Sequence, residues 1–159
     1  MKRNLLKSLA LSTALVLGAG VTYTFLPLTA QQAQAEEVTV YKSPTCGCCG
    51  DWVKHMEANG FKVTVHDVQN LNPIKEKAGL TPALASCHTA FVGGYAIEGH
   101  VPASDIRRLL REKPDAKGLA VPGMPIGSPG MEVAGRPNDP YDVVLFREQG
   151  QTERFSHHQ

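Results

Sequence analysis

The chain has 159 residues with 16 basic and 15 acidic side chains, giving a formal charge of +1, and 42% of its residues are hydrophobic. That balance fits an ordinary globular domain, and the lack of a basic stripe or arginine cluster excludes nucleic-acid binding. Its four cysteines do not read as a disulfide scaffold, because three fall within Cys46-Gly47-Cys48-Cys49 and the fourth, Cys87, stands apart.

The first segment sets the compartment. Lys2, Arg3 and Lys7 make a positive start, an apolar run follows from Leu9 to Leu17, and Ala33-Gln34-Ala35 offers small residues where a signal peptidase reads. Residues 1–35 are therefore expected to be a cleaved export signal, with the periplasm as destination. The rival is an anchor helix from Leu9 to Phe25, but Ser, Thr and Gly dilute that run and Pro27 follows it. No stable membrane anchor is expected after processing. Loss of three basic residues would leave residues 36–159 as one domain with a formal charge of −2.

Along that domain the elements alternate. Val38–Tyr41 is a short β run ended by Ser43-Pro44. Gly50–Asn59 reads as a helix with Trp52, Val53 and Met56 on its apolar stripe and Asn59-Gly60 as its stop. Phe61, Val63 and Val65 alternate with polar residues, the pattern of a half-buried strand. Asn72-Pro73 is expected to cap a short helix through Lys77. Thr89–Val92 and Tyr95–Glu98 flank a Gly93-Gly94 turn, which makes them an antiparallel pair. Pro102 opens a last helix with Ile106, Leu109 and Leu110 inward, stopped by Pro114. Residues 118–140 are too rich in glycine and proline for a helix or central strand. Asp142–Arg147 is a late strand within 141–159, and Ser156-His157-His158-Gln159 a loose tail.

The order β-α-β-α-β-β-α predicts an α/β fold: a mixed four-stranded sheet flanked by helices, of the thioredoxin or glutaredoxin kind, with a Pro/Gly-rich C-terminal extension. The crossover through the first helix makes the first two strands parallel. The cysteine cluster then falls between the first strand and the first helix. There, backbone N–H groups and the helix dipole favour negative charge on Cys46. A Cys46–Cys49 pair at such a junction serves either a redox disulfide or metal chelation.

Cys48 favours the metal, since thiol–disulfide exchange needs only two thiols. Sulfurs crowded on a short loop suit bridging of several soft ions, and thiolates select copper(I), zinc or iron–sulfur clusters. Crowding together with export points to more than one copper(I); zinc and iron–sulfur fit less well. Cys87-His88 falls just before the third strand, where thioredoxin-like folds bring a cis-proline against the cysteine loop, so all four cysteines are expected to converge. The bland alternative is that Cys87 is an ordinary core thiol. Met124 and Met131 lie in the Pro/Gly loop as copper-compatible thioethers or as gap fillers. His100 stands as a site residue or a strand-end cap. His55 and His66 read as solvated, and His157 and His158 as a mobile tail able to scavenge metal.

Cys-Gly-Cys-Cys, Ser-Cys-His-Thr-Ala, Gly-Tyr-Ala-Ile-Glu-Gly-His-Val-Pro and the Ala120–Glu132 segment together resemble the CopG-type copper-resistance proteins. They belong to a periplasmic metal-binding family formerly of unknown function. The resemblance runs from Val38 to about Phe155. It implies a thioredoxin-like fold and a thiolate-bridged multicopper site of Cys46, Cys48, Cys49 and Cys87, with His88, Met124 and Met131 around it. The expected function is copper binding in copper resistance or homeostasis, with copper ions and other periplasmic copper-handling proteins as partners. An oxidoreductase acting on copper is one form this takes. The alternative is a thiol–disulfide oxidoreductase in which Cys46 is the nucleophile and Cys49 resolves.

Overall fold

The computed structural model describes residues 35–159. The expected export signal, residues 1–35, lies outside these residues but for Ala35. The elements are β1 (Glu37–Lys42), α1 (Gly47–Ala58), β2 (Lys62–Asp67), α2 (Asn72–Lys77), β3 (His88–Val92), β4 (Tyr95–Glu98), α3 (Ala103–Glu112), β5 (Gly118–Ala120), β6 (Tyr141–Phe146) and β7 (Thr152–His158). The strands form one seven-stranded sheet in the order β2-β1-β3-β4-β5-β6-β7. Pairings β1–β2 and β4–β5 are parallel, each across a helical crossover, and the others antiparallel.

The core lies between the sheet and the helices. Val38 and Val40 of β1, Ile97 of β4 and Leu119 of β5 meet Trp52 and Met56 of α1 and Ile106 and Leu109 of α3. Each large apolar side chain so buried contributes about 1.5–3 kcal/mol. Trp52 also donates its indole N–H to the Val101 carbonyl at 2.9 Å, tying α1 to the chain that enters α3. Pro102 caps α3 with no side-chain acceptor, and His55 Nε2 accepts the Ala103 N–H at 3.2 Å instead. His55 is thus half-buried and bonded rather than merely solvated.

The four expected strands are present, but the expected four-stranded sheet is corrected to seven. Gly118–Ala120 forms a fully buried central strand despite the glycine and proline that follow. The glycine is what lets it in: a Cβ on Gly118 would stand 1.7 Å from the Ala96 carbonyl oxygen of β4. Ser156–Gln159 is not a loose tail either, since residues through His158 belong to β7. Arg108 holds that strand to α3, its guanidinium 3.6 Å from the Phe155 ring centre and bonded to the Phe155 carbonyl. His158 Nε2 pairs with the buried Asp105 carboxylate at 2.8 Å.

Smaller differences have local causes. α1 starts at Gly47 rather than Gly50, because the Cys46 carbonyl accepts the Gly50 N–H and closes a first turn over the cysteines. Leu71, not Asn72, is the N-cap of α2, and the Asn70 side chain accepts the Asn72 N–H at 3.0 Å. β2 is an edge strand, so Phe61 before it is buried while Val65 is 40% exposed. Leu110 is half-buried beside the α3 stripe.

Gly118→Ala is the substitution that tests the β4–β5 contact. It is expected to cost about 3 kcal/mol by overpacking against a backbone that cannot retreat. A thermal melt should show the midpoint lowered by roughly 10 °C.

Candidate metal centre

Three chain segments meet at one end of the sheet. After β1 the chain turns, the Cys46 N–H bonding to the Ser43 carbonyl at 3.1 Å. Cys46 is the N-cap of α1 with extended backbone, which places Cys48 and Cys49 in the first helical turn. The second segment is Ala85–Cys87, leading into β3. The third is Gly99-His100, which leaves β4. Lys42 pairs with His88 across β1 and β3, and the Gly99 N–H bonds the His88 carbonyl, so the sheet holds all three in register.

The sulfurs converge. Cys46, Cys48, Cys49 and Cys87 offer four Sγ atoms that all lie within 4.8 Å of one another. Cys46 and Cys49 are joined as a disulfide, with Cα atoms 5.4 Å apart, while Cys48 and Cys87 are free. Cys48 Sγ is 3.6 Å from Cys46 Sγ. Cys49 is fully buried, and its sulfur faces the Cys87 carbonyl at 3.8 Å.

Imidazoles complete the arrangement. Cys87, His88 and His100 form a second group of donor atoms within 4.8 Å. Cys87 Sγ lies 3.0 Å from His100 Nε2 and 3.4 Å from His88 Nδ1. His100 Nδ1 is 2.7 Å from the Pro129 carbonyl, which only accepts, so the proton sits on Nδ1 and Nε2 keeps a bare lone pair toward the sulfur. Both rings are fully buried, with His88 tilted at 45° against Trp52, ring centres 4.5 Å apart, and edge-on to His100 at 5.1 Å. Burial holds both below the usual imidazole range, His88 well below it, with the His100, Lys75 and Lys42 charges adding to the effect on His88. Neutral rings are the form that donates to metals. His88 Nε2 has no hydrogen-bond partner although it is buried.

The Pro/Gly loop is part of this centre. Besides Pro129, Gly130 packs so tightly on α1 that a Cβ there would fall 2.6 Å from the Trp52 nitrogen and 2.9 Å from the Cys48 carbonyl oxygen. Its φ of +82° also calls for glycine. Met131, next in sequence, is partly buried, and Met124 is 53% exposed. His157 and His158 are elsewhere, paired with Asp142 and Asp105. Exposed His66 stacks on Tyr41. Surface clefts of about 410 and 390 Å³ open at Asp115–Lys117 with Arg147 and at Lys75 with Leu80, and neither includes a cysteine.

Sequence spacing points to the four cysteines and His88, and it allows His100 to be either a site residue or a strand-end cap. Its signal was positional: it follows a strand that pairs with the one beginning at His88.

Residues 84–131 match the family described as a protein of unknown function, DUF411. A solved structure titled copper resistance protein copG, form 2, is 46% identical, with a TM-score of 0.74 over 79% of this chain and 99% of that one. Form 1 is 47% identical, with a TM-score of 0.72 over 77% and 96% of the two chains. A search of curated proteins found no match.

Burial, with the neighbouring Cys48 charge adding to it, pushes the Cys87 thiol up to about 11. At pH 8 only about 0.1% of it is thiolate, the reactive form. In a Cys48→Ser protein with the disulfide intact, alkylation of Cys87 should be slow at pH 8 and climb steadily toward pH 11. A plateau above pH 9 would contradict the burial.

Proposed function

The chain belongs to the family of copper resistance protein copG, and we propose that it binds copper(I) as cargo through Cys46, Cys48, Cys49 and Cys87. The observation that carries this reading is the convergence of the four sulfurs. The donors fit the ion: thiolate and neutral imidazole are both copper ligands, and thiolate selects the reduced ion. His88 and His100 would supply nitrogen donors beside Cys87, with Met124 and Met131 on the covering loop as thioether candidates. Four sulfurs so close suit bridging, hence more than one ion per chain.

The disulfide sets a condition. Two electrons and two protons from a dithiol reductant convert Cys46–Cys49 to two thiols, and only then do all four sulfurs become available. The β2-β1-β3-β4 part with α1 and α3 is read as a thioredoxin-like core, with the Pro/Gly loop and β6–β7 as an extension. Residues 1–35 are read as an export signal, which places the domain in the periplasm. No helix of the described residues is long and apolar enough to cross a membrane. Copper would pass to or from other copper-handling proteins there, as part of resistance.

A second reading is favoured by the disulfide at the amino end of α1. In thiol–disulfide exchange, Cys46 would attack and Cys49 resolve. That chemistry needs neither Cys48 nor Cys87, which gives the test. Cys87→Ser is nearly isosteric, and a cost of about 0.5–3 kcal/mol leaves the protein folded. It is expected to keep forming Cys46–Cys49 yet bind markedly less copper(I) under a competing chelator. Copper content and affinity equal to the parent would remove Cys87 from the site.

A further inference from the structure

Beneath the sulfurs lies a carboxylate that the copper reading does not use. Glu98, the last residue of β4, is fully buried. A buried carboxylate is retained only when its oxygens are matched by donors. Glu98 has three: Lys75 Nζ of α2, the Ser86 backbone N–H at 2.5 Å and Thr89 Oγ1 at 2.7 Å.

Ser86 immediately precedes Cys87. Residues 85–87 lie between a 3-10 turn at Pro82–Leu84 and the start of β3, outside any strand pairing. The Ser86 N–H, which no strand ladder engages, is bound by Glu98. The Ser86 hydroxyl in turn donates to the Gly123 carbonyl of the Pro/Gly loop. On the other side, a Cβ on Gly99 would strike Ser86 Oγ and the Val121 carbonyl oxygen at 2.6 Å, so the chain leaving β4 runs tight against this segment.

We propose that Glu98 is a positioning residue for the metal site: its carboxylate, by holding the Ser86 N–H, sets where the Cys87 sulfur stands against the other three. The inference rests on the copper reading for its functional meaning and on hydrogen-bond geometry alone for its structural meaning. Groups that bond to a metal's ligands rather than to the metal orient those ligands, and losing one costs about 10- to 100-fold in metal affinity. Glu98 acts one residue further out, through the backbone.

The test uses the reduced full domain and three variants. Glu98→Met keeps the length of the side chain but removes the oxygen that accepts the Ser86 N–H. Glu98→Asp keeps the charge facing Lys75 but draws the carboxylate back from Ser86, and serves if the first variant fails to fold. Leu145→Ala, a core truncation on β6, supplies lowered stability without touching this network. Copper(I) affinity by chelator competition is expected to fall about 10- to 100-fold in the folded Glu98 variant and to stay unchanged in Leu145→Ala. X-ray absorption of the copper-loaded Glu98 variant should show altered sulfur coordination. Alkylation of Cys87 in the metal-free Cys48→Ser background, with the Cys46–Cys49 disulfide intact, should speed up with the Glu98 change and not with Leu145→Ala. If the parent binds no copper, the copper reading fails while the alkylation arm still decides the positioning. Unchanged alkylation in the Glu98 variant, or a copper loss that Leu145→Ala reproduces, would overturn the inference.

Discussion

The site depends on the register between β1 and β3, in which Lys42 stands opposite His88. Four residues beyond Lys42 comes Cys46, and one residue before His88 comes Cys87. Antiparallel pairing therefore delivers the helix turn and the lone cysteine to the same end of the sheet. A slip of one residue would turn His88 to the other face of the sheet and carry Cys87 with it, because strand side chains alternate. Apolar packing makes that slip costly, because a β3 shifted by one residue would turn Ala90 and Val92 out of the core.

Polar groups are then fixed within this frame, each by a different neighbour. Trp52 packs against His88 while its N–H holds the Val101 carbonyl. Pro129 orients His100, and Glu98 holds Ser86. Burial keeps both imidazoles neutral and raises the Cys87 thiol. These shifts share one sense, since each disfavours charge in the absence of metal. A cation would reverse the balance by stabilising thiolate, so metal binding at these sulfurs is expected to release protons. The buried, unpartnered His88 Nε2 is a further cost of holding this ring in place.

Much of this was legible in the residues. Alternation marked β2, short β runs marked β1 and β3, Gly93-Gly94 marked the hairpin, and the placement of Cys87 before a strand anticipated its meeting with the helix turn. Local pattern could not show what long-range contacts supply. β5 is three residues long and begins with glycine, so it reads as loop until Ala96 is seen to leave no room for a Cβ. β7 is mostly polar, and its anchors, Arg108 and Asp105, lie on a helix far back in the chain. His100 and Glu98 lie in the Gly94–Pro102 motif, but the motif does not say what either side chain touches. Their roles come from a strand neighbour and a preceding loop, both brought near by folding.

The central claim is that four converging sulfurs form one copper(I) site, closed while Cys46 and Cys49 are joined and opened by their reduction. The most direct measurement is the number of copper(I) ions bound per chain, without oxygen and under a competing chelator, in the reduced and disulfide forms of the same protein. The account predicts more than one tightly held ion in the reduced form and a clear loss in the disulfide form. Equal copper in both forms, or none in the reduced form, would contradict it.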